Sequence, residues 1–212
     1  MTGADTLSAF GDLPSLNLQY QSAAEQYFCL PGRYSWQQFK KIQTLLEQEE
    51  VPGLRLVYRD GCIEFMTISP KHEIITSILS AILVFYFIEN NIPFIPTGSA
   101  TLEAEAKGSS AEADLSYYLT QPRTGEFAPE LAIEIVLTSG TKAKLARYQR
   151  FGVKEGWFWK AGEFSLYSLQ GNEYQWVDRS QLLPNLDITF LSHCLTIQDA
   201  TKSIQTFRAG IG

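Results

Sequence analysis

The stretch Leu131 to Lys160, LAIEIVLTSGTKAKLARYQRFGVKEGWFWK, decides how this chain folds. It opens as a short apolar run of the kind that forms a buried strand and then passes a Thr-Ser-Gly turn. From about Thr141 to Phe151 the apolar residues Leu145, Tyr148 and Phe151 fall at helical spacing, and Gly152 suits a helix C-terminal stop. A second apolar strand, GWFWK, follows. The anomaly is Glu134 in the middle of LAIEIVL, because an unpaired carboxylate is costly to desolvate.

Working outward, SWQQFKKIQTLLEQ places Trp36, Phe39, Ile42, Leu45 and Leu46 at helical spacing behind Ser35, a suitable N-cap. LRLVYRDGCIEFMTI reads as two strands around Asp60-Gly61, a hairpin turn pair. Pro70 precedes a long apolar helix from about Lys71 to Asn90, and strands are expected near Ala100 to Ala106 and Asp114 to Leu119. EFSLYSL and EYQWVD add two more after GWFWK. The order predicts an α/β (α+β) domain with a mixed sheet flanked by helices. Residues 1–32, with Pro14 and Pro31 and no steady period, read as a surface-hugging arm before a single domain over 33–212.

Length and a 45 % hydrophobic content allow one sizeable core. The apolar run Ile74 to Ile88 falls short of the roughly 20 residues a membrane span needs and contains Thr76, Ser77 and Ser80, so a buried core helix and no membrane are expected. The first residues lack a signal-peptide pattern, and the cytoplasm is the expected compartment. Cys29, Cys62 and Cys194 are too scattered for a disulfide framework or a thiolate zinc site, and His193-Cys194 has no partner at metal spacing. A net charge of −6 argues against broad nonspecific attraction to nucleic acid but leaves room for a local basic patch.

Asp114 opens ADLSYYL, and if that strand pairs with LAIEIVL, two carboxylates converge at one sheet edge. Such a pair repels itself unless a cation or proton lies between, which points to a hard divalent ion such as Mg²⁺ or Mn²⁺. A nearby positive charge completes the chemistry, but Val136 stands on the Glu134 face where a lysine would serve. On the following helix Lys144 lies about 40° from Tyr148 and Lys142 about 120°, so Lys144 flanks the buried side and Lys142 faces solvent.

These residues resemble the Uma-two family of candidate endonucleases, within the PD-(D/E)xK superfamily of restriction-endonuclease-like folds. The resemblance covers roughly Arg33 to Leu191 and is most specific over 131–160; YRDGCIEFMTISPKHE also has a counterpart in the family. It implies a restriction-endonuclease-like fold in which Asp114 and Glu134 ligate the metal with help from the backbone carbonyl of Ile135. Lys144 is then the catalytic lysine moved from strand to helix. Ala113 departs from the pattern, which has proline there; proline fixes backbone shape and contributes no ligand.

The implied activity is Mg²⁺- or Mn²⁺-dependent hydrolysis of phosphodiester bonds in DNA, with a homodimer supplying two sites for two strands. Two other readings stand beside it: an inactive nuclease fold serving binding or assembly, which the acidic charge favours, and a phosphodiesterase for a smaller substrate. His72 and Glu73 open the long helix and read as an N-terminal first-turn pair, acidic residues being favoured there by the helix dipole; alternatively Glu73 could add an oxygen to the metal shell and His72 could contact phosphate or hold the hairpin. Glu112 reads as a loop charge unless the strand starts early. Trp157, Phe158 and Trp159 could stack bases, but packing or a dimer interface is the expected role.

Overall fold

The computed structural model describes residues 27–50, 54–67, 69–99, 101–120, 128–137 and 141–211. Most of the expected arm and the Thr-Ser-Gly turn at 138–140 lie outside them, as does the side chain of Lys142. Strand β1 (Tyr27–Cys29) pairs antiparallel with the hairpin. Helix α1 (Trp36–Gln48) starts at Ser35, whose hydroxyl accepts from the Gln38 amide while the Gln38 side chain accepts from the Ser35 amide.

Strands β2 (Leu54–Arg59) and β3 (Cys62–Thr67) form the expected hairpin. Both turn residues have positive φ, 47° at Asp60 and 88° at Gly61, the backbone that Asp-Gly accepts most readily. Helix α2 (Pro70–Glu89) is capped by the Ser69 hydroxyl on the His72 amide. At 20 residues it is longer than the apolar run alone and meets the length and composition of a membrane span. Its apolar face is nevertheless spent in the core, with Leu79, Ile82, Leu83 and Phe87 fully enclosed.

The chain continues through β4 (Ile95–Pro96), β5 (Thr101–Ala104), a 3-10 turn (Glu105–Lys107) and β6 (Ser109–Glu112). Then come β7 (Leu115–Tyr118), β8 (Leu131–Ile135), α3 (Thr141–Phe151), β9 (Glu155–Lys160), β10 (Glu163–Gln170) and β11 (Glu173–Val177). Helices α4 (Ile188–Thr196) and α5 (Ala200–Gly210) close the fold.

Two sheets result, ordered β1-β3-β2-β6-β5 and β11-β10-β9-β8-β7-β4. The parallel pair β8 and β9, joined through α3, is the centre of the second sheet. Both faces of that sheet are covered, which is why LAIEIVL reads as a continuous apolar run. Leu131, Ile133 and Ile135 pack toward α2, α4 and α5, while Ala132 and Val136 pack toward α3 with Tyr148, Val153 and Phe158. The first sheet carries α1 on a smaller core around Phe39, Tyr58 and Ile63. This is the mixed α+β arrangement that the element order predicts, and it is consistent with the restriction-endonuclease-like fold that the resemblance implies.

Several elements differ from the sequence expectation. The strand expected near 100–106 ends at Ala104, and β6 stands where a loop was expected, so Glu112 is the last residue of a strand. Helices α4 and α5, each capped by an aspartate on its third helical amide, have no counterpart in the sequence reading. Between Glu112 and Leu115 the chain leaves the first sheet and enters the second. Asp114 sits at that seam.

Candidate active site

The seam explains how Asp114 and Glu134 meet. Strands β7 and β8 pair with Leu115 opposite Ile133, so one step further along the same register sets Asp114 against Glu134. The Asp114 amide donates to the Ile133 carbonyl at 3.1 Å, and the Ile135 amide donates to Asp114 Oδ2 at 2.7 Å. Glu134 lies on the same face as Ala132 and Val136, the face that α3 covers. There Lys144 Nζ is 2.5 Å from Glu134 Oε2, and the Tyr148 hydroxyl donates to Glu134 Oε1. The structure thus brings Asp114, Glu134 and Lys144 together, and all three are at most 5 % exposed. Lys144 reaches back to the strand, as the helix angle predicts.

The first sheet and α2 supply the partners of Asp114. Arg55 on β2 donates to Asp114 Oδ1, and its Nε lies 3.1 Å from Glu112 Oε1. His72 Nε2 is 2.9 Å from Asp114 Oδ2. His72 is therefore a buried partner of the central carboxylate, whereas the first-turn helix role fits only Glu73, whose side chain is 59 % exposed. Trp157, Phe158 and Trp159 are all buried in the sheet.

Charge is unevenly distributed over the two carboxylates. Burial alone would raise Asp114, but the hydrogen bond from His72 and the charges of Lys144 and Arg55 outweigh it and hold the carboxyl well below its usual range. Burial drives Glu134 the other way, Lys144 opposes it, and the like charge of Asp114 reinforces it, leaving the carboxyl pushed up to about 7. Burial, then the charge of Glu134, raises the Tyr148 hydroxyl well above its ordinary value. Burial also raises Glu112, against the pull of Arg55.

A hard divalent ion suits this donor set, since it would offset the burial, and the smaller repulsion from Asp114, that raise the Glu134 carboxyl. Among the described residues no three His, Cys, Asp or Glu side chains gather around one point. Two carboxylates, a backbone carbonyl and water are nevertheless enough for an ion such as Mg²⁺, which keeps much of its water. Sequence reasoning missed Arg55, Arg147 and the hydroxyl of Tyr148. Arg55 was findable on the logic that singled out Glu134, because it too is a charge set among the apolar residues of a strand.

A mixed sheet whose central strand presents a buried glutamate to an aspartate on its neighbour and a lysine on the crossover helix is the arrangement that the resemblance to candidate endonucleases implies. The family model of Uma2, described as "Putative restriction endonuclease", matches residues 36–198, more than half of the chain. The chain belongs to that family, and membership implies an interaction with DNA. No curated protein matches the chain.

Proposed function

We propose that the chain is a metal-dependent endonuclease hydrolysing phosphodiester bonds in DNA, with Mg²⁺ or Mn²⁺ held by Asp114, Glu134 and the Ile135 carbonyl. The observation that carries the reading is the register that sets Asp114 against Glu134 with Lys144 on the same carboxylate. The chemistry such an ion supplies when bound is acidification of a water and neutralisation of phosphate charge. The chain's own residues prepare for it. His72 and the Ile135 amide fix Asp114 in its ionised form, and Tyr148 fixes the orientation of Glu134. Lys144 places a positive charge beside the reacting phosphate, where an anionic transition state develops. A homodimer would offer one site to each strand of a duplex.

The test is incubation of purified protein with supercoiled plasmid and Mg²⁺ or Mn²⁺, with Glu134→Ala as control. Nicked or linear product from the wild type and none from the variant is the expected outcome. Cleavage that survives the substitution places the chemistry elsewhere.

A second reading has its own observation: every carboxylate oxygen of Asp114 and Glu134 already has an internal donor. On that reading the cluster is a closed ion-pair network in a non-catalytic binding or assembly module. Calorimetric titration with Mn²⁺ separates the two, because binding abolished by Asp114→Ala favours the nuclease and no binding at millimolar metal favours the module.

A further inference from the structure

Beside the site runs a narrow crevice between α3 and the β2–β3 hairpin, lined by Arg55, Glu64, Glu112, Lys144 and Arg147 with Val57 and Met66. Of its three cations, Arg55 is paired with Asp114 and Glu112 and Lys144 with Glu134, which leaves Arg147 facing Glu64. Arg147 is the group the catalytic reading leaves unused. It stands three residues past Lys144 on α3, hence on the same face and about 4.5 Å further along the axis. It is only 6 % exposed. A guanidinium that buried normally spends most of its five donors, yet among the described residues Arg147 makes a single hydrogen bond, to Glu64 Oε2 at 3.3 Å. That is longer than the usual charge-assisted bond of about 2.7–2.9 Å. Glu64 itself is half-open to solvent, with 27 % of its side chain exposed.

The contrast with Arg150, one turn further on, is informative. Arg150 grips both oxygens of Asp60 and also reaches the carbonyls of Lys107 and Gly108, so its donors are spent on tying α3 to the hairpin tip. Arg147 has no comparable structural use. A loosely held fork of donors next to Lys144 matches the two free oxygens of a phosphodiester.

We propose that Arg147 binds the backbone phosphate next to the one cleaved, and that Glu64 occupies the place of that phosphate in the free protein. The proposal rests on the nuclease reading for the direction of the strand, and it makes Arg147 a positioning residue rather than a catalytic one. Exchange of one anion for another keeps the guanidinium neutralised throughout, so binding demands no new buried charge.

The experiment is fluorescence anisotropy of a labelled DNA oligonucleotide with the full chain in Ca²⁺, as a function of salt, run in parallel with plasmid cleavage in Mg²⁺. Arg147→Gln is expected to weaken binding about ten- to a hundredfold and to reduce the salt slope by about one. Arg147→Lys is expected to keep the slope while losing part of the affinity. Glu64→Gln, which removes the internal competitor, is expected to bind more tightly than the wild type. Thermal unfolding of each variant identifies any loss of fold, and a purely structural role would lower the midpoint without changing the salt slope.

If Arg147→Gln binds with unchanged affinity and slope while the wild type cleaves, the assignment of Arg147 is overturned and the nuclease reading stands. Binding that depends on Arg147 in a wild type that never cleaves supports the phosphate site and removes the nuclease. A wild type that hydrolyses bis(4-nitrophenyl) phosphate but shows no Arg147-dependent oligonucleotide binding overturns the proposal and points to a smaller phosphodiester.

Discussion

Two glutamates on adjacent strands are equally buried and are held in opposite ways. Glu155 at the start of β9 is 1 % exposed and accepts from four neutral donors: the Trp157 indole, the Ser180 hydroxyl, and the amides of Gln181 and Leu182. Each oxygen takes two hydrogen bonds, and the result ties the segment after β11 to the central sheet. Glu134, 0 % exposed, has a lysine and a phenol for partners and a second carboxylate opposite. Burial of a carboxylate in a strand therefore says little about chemistry. What sets Glu134 apart is a partner set that leaves its charge unresolved.

The comparison can be broken at several points. The largest effect is expected in catalysis: Glu134→Ala should lower the plasmid cleavage rate about a thousandfold and remove Mn²⁺ binding by calorimetry, while Glu155→Ala retains both per folded molecule. Equal loss of metal binding in the two variants would erase the distinction. Next comes stability. Glu155→Ala strands two buried donors and two half-buried ones and is expected to cost roughly 2–4 kcal/mol in urea unfolding.

A pH-dependent difference follows in size. The folded-state pKa of Glu134, about 7, lies above its ordinary value of 4.5, so the folded chain holds a proton that the unfolded chain releases. Its contribution is favourable at low pH and is lost as pH rises from about 4.5 through 7, on the order of 3 kcal/mol. Asp114 acts in the opposite sense, since its lowered pKa makes a contribution that is lost only as pH falls below its ordinary 3.8. Metal-free protein should therefore lose stability between pH 5 and 7.5, and Glu134→Gln should flatten that slope. A slope unchanged by the substitution assigns the titration to another group. The smallest effect is expected at an exposed carboxylate: Asp60→Asn, which loosens the clasp to Arg150, should change stability by less than about 1 kcal/mol.

How much of this was legible in the residues depends on how local each feature is. The β8–α3–β9 unit was readable because strand length, helical spacing and Gly152 agree over thirty consecutive residues. Gly152, with φ at 81°, does end α3, its amide and that of Val153 both returning to the Tyr148 carbonyl. Lys144 was readable for the same reason, being a matter of angle on one helix. Glu112 and β6 were not, because Ser-Ser-Ala-Glu has little strand character and is held in place by pairing with β5 and β2. The partnership of Arg55 with Asp114 was out of reach, since it depends on how one sheet passes into the other. His72 read as a first-turn residue because nothing in its neighbours shows that the helix start is buried against the seam.

The seam at Asp114 also has a consequence for how the site comes into being. Glu134 finds Lys144 and Tyr148 at separations of 10 and 14 residues, whereas Arg55 reaches Asp114 across 59. Short loops close sooner than long ones, so the glutamate half is expected to assemble with its own strand-helix-strand unit and the aspartate half only when the two sheets dock. Pulse-labelled hydrogen exchange that protects β2 before α3 would reverse this order. An unfinished chain would carry the lysine-glutamate pair alone, and the full constellation would exist only in a molecule that has completed folding.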